Sequence, residues 1–132
     1  MIRKDEFAQN ARCFGAVVPQ IERRSILAIS FSSLKYTGRC SDDECIVRVF
    51  MGGAMHESML GNTDDALLAI AWNELVKVLN LRSPPKHQLL VRWPEAMPQY
   101  DVGHLQRLSA MEQALSAWPT FRYCGNAYRG VG

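Results

Sequence analysis

Three glycines, Gly125, Gly130 and Gly132, fall within the last eight residues, directly after a short β-like run, Phe121 to Cys124. A strand that opens into such a loop can bring its backbone close to a ligand. Glycine lacks a Cβ and tolerates positive φ, so backbone N–H groups can turn toward a phosphate or a flavin edge. In nucleotide-binding folds a helix follows and adds its positive end. The sequence stops before one, as expected of a piece of a larger protein.

Other reactive groups are sparse. His56, His87 and His104 are each separated by a helix length or more, and each is expected to be a surface or capping residue. Asp42-Asp43 and Asp64-Asp65 suit a turn and a helix start, and no general acid–base pair emerges. No nucleophile elbow, phosphate-loop motif or zinc-protease motif is present. Cysteines stand at 13, 40, 45 and 124 without a CxxC pair, so reduced, partly buried thiols are expected and a zinc site is not. Net charge is +2, and the basic residues are scattered rather than interleaved with aromatics, which argues against nucleic acid as a partner.

The elements that must position these groups follow from hydrophobic pattern. Three strand-like runs open the chain, Phe14 to Pro19, Ser25 to Ser32 and Cys45 to Met51, each rich in β-branched or aromatic residues and bounded by turn residues. They predict an antiparallel three-stranded meander. A helix is expected from about Asn62–Asp65, capped by Asn62 or Thr63, with Leu68, Ala71, Leu75, Val78 and Leu79 at helical spacing; Pro84-Pro85 bars its continuation. A strand is expected over Gln88 to Trp93, a helix from about Val102 to Trp118, and a last strand over Phe121 to Cys124. The order βββ–α–β–α–β gives an α+β chain, with a domain boundary expected near residues 53–62. No apolar stretch is long enough to span a bilayer and no signal region follows Met1, so a cytoplasmic location is expected, with a membrane surface as an alternative.

The informative segments are loops. Phe14-Gly15 leads a strand ending in Val18-Pro19, Phe31-Ser32-Ser33 ends the next, and Arg48-Val49-Phe50-Met51-Gly52-Gly53 follows. Then come Arg92-Trp93, Met97-Pro98-Gln99-Tyr100 with Val102-Gly103-His104, and Gly125-Asn126-Ala127-Tyr128-Arg129-Gly130-Val131-Gly132. Aromatics, prolines and glycines of this kind suit an apolar, planar ligand, or else ordinary core and turns. Their order and wording resemble the C-terminal part of the protoporphyrinogen oxidase family, FAD-dependent enzymes of haem and porphyrin biosynthesis, over about Phe14 to Gly132. The MPQYxVGH and GNAYRGVG strings carry most of that resemblance.

The resemblance implies that residues 1–60 supply antiparallel strands of a substrate-binding domain. Residues 61–132 would form helix–strand–helix–strand, returning to an FAD-binding domain and ending in the FAD-contacting loop. It implies that Phe14, Gly15, Val17 and Phe50 line the tetrapyrrole pocket and that Trp93, Gly130, Val131 and Gly132 contact FAD. The implied reaction converts protoporphyrinogen IX to protoporphyrin IX, hydride passing to the flavin and electrons on to oxygen, so the difficult step belongs to the cofactor. The dinucleotide fingerprint GxGxxG is absent from these residues, as is the arginine that the family uses to meet a substrate propionate. Partners so implied are the porphyrinogen, oxygen, an N-terminal FAD domain or a second copy of the chain, and peripheral membrane contact. Alone, the chain is expected to be inactive and to bind no flavin stably. The alternatives are a coproporphyrinogen III oxidase, another flavin amine oxidase-like or carotenoid desaturase-like enzyme, and a small non-enzymatic α+β interaction protein.

Overall fold

The computed structural model describes residues 1–6, 13–54 and 56–130. The chain divides into two compact units, Met1–Val91 and Arg92–Gly132.

In the first unit, β2 (Gly15–Val17), β3 (Ala28–Phe31) and β5 (Val47–Phe50) form an antiparallel sheet in the order β2-β3-β5. This is the expected meander, with shorter strands. A second ladder joins β1 (Ile2–Arg3) to β4 (Glu44–Cys45), where the sequence offered only a polar start. The connection from β3 also differs from a simple hairpin. It holds a four-residue helix, α1 (Ser32–Lys35), before the turn that leads into β4.

Strand alternation divides the sheet's residues between two faces. Ile29 and Phe31 are buried, with Val47 and Val49 packed beside them. They share a core with Ile2, Ile26, Cys45, Leu75 and Leu81. Leu75 comes from α2 (Asp64–Leu79), whose Trp72, Val76 and Leu79 also pack against this core. Of the two predicted caps, Thr63 is the one used: its hydroxyl accepts from the Ala66 N–H at 3.3 Å. Asp64 and Asp65 occupy the first turn, and Asn80 ends the helix in a left-handed conformation. Val78, predicted on the apolar side, is exposed instead. Glu74 is buried on the same helix and is held by Arg24 at 3.2 Å and Lys77 at 3.3 Å.

The expected strand over Gln88 to Trp93 is absent from the described structure. The chain just before it is pinned to the N-terminal segment, with Lys86 N–H donating to the Met1 carbonyl and Ser83 N–H to Glu6. From Gln88 onward, no ladder partner exists among the described residues. Leu89, Val91 and Trp93 are exposed. A β pattern without a neighbouring strand cannot satisfy its backbone groups in a ladder, so the pattern alone does not make a strand.

The second unit centres on α3 (His104–Leu115), shorter than its predicted span because the chain turns at Ser116 to Trp118. The expected strand over Phe121 to Cys124 is likewise absent. Phe121 N–H closes a turn onto the Trp118 carbonyl, and Arg122 donates to the carbonyls of Pro119 and Phe121. One short helical turn, α4 (Asn126–Arg129), follows. The predicted helix–strand–helix–strand half therefore contains its two long helices but neither strand. No helix among the described residues is long and apolar enough to cross a membrane.

Candidate functional site

The face of the three-stranded sheet opposite the core carries two cross-strand rows. Val17 stands opposite Ala28, and Ala28 opposite Phe50. One pleat further on, Gly15 stands opposite Ser30, and Ser30 opposite Arg48. Val17 is 81% exposed and Phe50 43% exposed; Ala28 and Ser30 are half-buried and Arg48 is exposed. Three of the four residues proposed from sequence to line a flat pocket are thus brought onto one open surface. Phe14 is placed differently. It lies at a bend before β2, is exposed, and its carbonyl accepts from the Phe31 N–H at 2.9 Å. The register gives it no place in either open row.

Gly15 has a structural requirement of its own. A Cβ added there would meet the Ile29 carbonyl oxygen at 2.2 Å and Ser30 Cα at 3.0 Å. β2 approaches β3 too closely for any side chain at this position. The Gly15–Ser30–Arg48 row therefore carries no side chain at its β2 end, across β3 from Arg48.

The second unit joins the two motif strings to each other. Tyr100 stacks on His104 with ring centroids 4.4 Å apart and planes 19° from parallel. The His104 Nε2–H donates to the Tyr128 carbonyl at 2.6 Å, and the Tyr100 hydroxyl donates to the Asn126 carbonyl. Gln99 anchors the preceding loop through the Met97 carbonyl at 3.1 Å. On the other side of the 126–130 segment, Arg129 pairs with Glu112 of α3, and the Tyr123 hydroxyl donates to the same carboxylate oxygen at 3.1 Å. Tyr123 and Tyr128 pack with ring centroids 4.5 Å apart. Arg129 and then Tyr123 hold the Glu112 carboxyl below its ordinary range, while partial desolvation and Glu112 push the Tyr123 phenol up.

His104 is therefore neither a surface nor a capping group, as the sequence had suggested. Gly103 occupies the cap position, and the imidazole is spent on the far loop. Spacing along the chain could not reveal this, because 24 residues separate the partners. The clue available in the sequence was that both strings carry tyrosine or histidine among glycines.

Gly130 closes this segment with φ 88 and ψ −175, a conformation that suits glycine. Among the described residues, a Cβ added there would meet the Tyr100 hydroxyl at 3.7 Å. The loop is braced on the side that faces Tyr100 and His104. Trp93 is 74% exposed at the start of the same unit. Val131 and Gly132 lie outside the described residues. Among the described residues no group of histidine, cysteine, aspartate and glutamate could hold a metal ion. The four cysteines are free thiols; burial raises the Cys45 thiol, which contacts the Ser33 hydroxyl at 3.3 Å.

Comparison with known proteins places these features in context. Residues 6–131 match the family model described as flavin containing amine oxidoreductase. The coproporphyrinogen III oxidase of Bacillus subtilis (strain 168) is 32% identical over 119 residues, 89% of this chain and 25% of the relative. A chloroplastic protoporphyrinogen oxidase from Nicotiana tabacum is 28% identical over 106 residues, 78% of this chain and 19% of the relative. A crystal structure described as a "Putative protoporphyrinogen oxidase" from Exiguobacterium sp. 255-15 aligns with a TM-score of 0.71 at 25% identity, covering 96% of this chain and 29% of that one. The chain spans about a quarter of the length of the curated Bacillus relative.

Proposed function

The chain belongs to the flavin containing amine oxidoreductase family, and from that membership we propose that it forms the C-terminal part of an FAD-dependent porphyrinogen oxidase. The substrate we favour is coproporphyrinogen III, oxidised to coproporphyrin III with oxygen as acceptor. The observation that carries this choice is the 32% identity to the Bacillus coproporphyrinogen III oxidase across 89% of the chain. The resemblance in the sequence put protoporphyrinogen IX first. That substrate remains the second reading, supported by the tobacco relative and the Exiguobacterium structure.

The residues divide the task. Val17, Ala28 and Phe50 offer the macrocycle an apolar surface, and the bare Gly15 position gives it room; Phe14 would close the pocket from beside this face. Burying a flat, apolar ring system against an aromatic side chain is favourable and sets its orientation. Trp93 and the loop of Gly130, Val131 and Gly132 would hold one wall of the flavin, with Tyr100 and His104 fixing the loop. FAD, when bound, supplies the acceptor for hydride leaving the methylene bridges. The chain's part is to present the ring, keep water away and avoid titrating groups beside the reacting carbon, consistent with the apolar Val17–Ala28–Phe50 row of the open face.

The test is kinetic, on the complete protein. Porphyrin fluorescence is followed with coproporphyrinogen III and with protoporphyrinogen IX under air. A kcat/KM at least about tenfold higher for coproporphyrinogen, a gap of roughly 1.4 kcal/mol, supports the proposal. The reverse order favours the second reading, and oxidation of neither overturns both.

A further inference from the structure

We propose that Arg48 is a specificity-determining residue that binds a propionate carboxylate of the substrate on the open face of the β2-β3-β5 sheet. The inference rests on the reading that this face receives a porphyrinogen. The arginine assigned to a propionate by family resemblance lies outside this chain, so Arg48 would be an additional contact.

The register carries the argument. Arg48 and Phe50 are two residues apart on β5 and project from the same face. Their Cα atoms are about 6.6 Å apart along the strand. That matches the reach from a pyrrole ring resting on Phe50 to the carboxylate at the end of its three-carbon propionate arm. Ser30 stands directly across from Arg48, and its hydroxyl is within cross-strand distance of the same carboxylate. Gly15 completes the row without a side chain. The arrangement is an apolar platform with a guanidinium and a hydroxyl at one edge, complementary to a flat ring with an anionic arm. Arg48 is exposed and, among the described residues, has no ion-pair partner. A guanidinium can take a carboxylate through two parallel N–H donors, which adds direction as well as charge.

A substrate with a propionate on every pyrrole ring satisfies Arg48 whichever ring rests on Phe50. A substrate with propionates on two rings does so in half of the orientations. Arg48 therefore favours coproporphyrinogen over protoporphyrinogen. There is also a simpler role for a charge at this position. β5 is an edge strand, and a cation there discourages strand-to-strand association. That role would leave the preference for carboxylate untouched.

The experiment uses the complete flavin-loaded protein and compares coproporphyrinogen III with its tetramethyl ester, which keeps the ring and removes the negative charges. The readout is the ratio of the two KM values in wild type, Arg48→Met and Arg48→Lys, with flavin content and melting temperature checked in each. We expect Arg48→Met to raise KM for the free acid about tenfold to a hundredfold, to leave kcat within about twofold and to shrink the ester-to-acid ratio by a similar factor. Arg48→Lys should retain part of the ratio, because it keeps the charge and loses the fork. An unchanged ratio in Arg48→Met, with the free acid still oxidised, overturns the role of Arg48 and leaves the proposed function standing. Wild type that oxidises neither compound overturns the function itself, and with it this contact.

Discussion

A methyl group at Gly15 would stand 2.2 Å from the Ile29 carbonyl oxygen, so β2 and β3 must separate to admit it. Gly15→Ala is expected to cost on the order of 1–3 kcal/mol, read as a lower midpoint in chemical denaturation. Phe50 behaves in the opposite way because it is already part-exposed. Phe50→Ala should change stability by about 0.5 kcal/mol or less while raising KM for the porphyrinogen; a large loss of stability with unchanged KM would assign Phe50 to the core instead. Glu112 gives a pH prediction. Arg129 and Tyr123 hold its carboxyl below the ordinary value of 4.5. The contribution of this pair to ordering the 126–129 segment is thus complete above that value and is lost as pH falls through the depressed one. Amide exchange of residues 126–129 should accelerate over that acid range in wild type, and Glu112→Gln should exchange quickly at every pH. Identical profiles for the two proteins would show that the segment is held by other contacts.

The elements differ in how much of them the sequence could reveal. α2 was legible because its signals are local: a threonine cap, two aspartates in the first turn and the proline pair beyond its end. Leu75→Ala, which removes the buried leucine that α2 contributes to the core cluster, should cost about 2–5 kcal/mol, measured as a fall in melting temperature of the complete protein. The meander was legible for the same reason, since three β-rich runs lie near one another in sequence. From that register came the shared face of Gly15, Val17 and Phe50. The segments 88–93 and 121–124 show the limit. Their residues favour strands, yet a strand is completed only by a partner, and no partner lies among the described residues. The clasp between the two motif strings was hidden for a related reason. Tyr100 and His104 reach the carbonyls of Asn126 and Tyr128 across a whole helix, and no periodicity encodes that contact. His104→Gln, which can still donate a hydrogen bond, should retain more flavin in the purified complete protein than His104→Ala. Equal flavin content in the two variants would remove the Tyr128 bond from the account.

At the scale of the molecule, the chain covers about a quarter of the Bacillus relative's length, and each of its two units carries some of the residues named in the proposed function. The first has an apolar face with a lone guanidinium at its edge. The second has a braced glycine loop and an exposed tryptophan. In the proposed function a bound cofactor accepts the electrons and the protein presents the substrate. Anaerobic mixing of the complete, flavin-loaded protein with coproporphyrinogen III tests that most directly, with the oxidised-flavin absorbance followed in the first turnover. The account predicts bleaching of that band in the first turnover, with porphyrin accumulating only after oxygen is admitted to reoxidise the flavin for the further two-electron steps. A flavin that dithionite bleaches, but that stays oxidised in the presence of coproporphyrinogen III and of protoporphyrinogen IX, would contradict it.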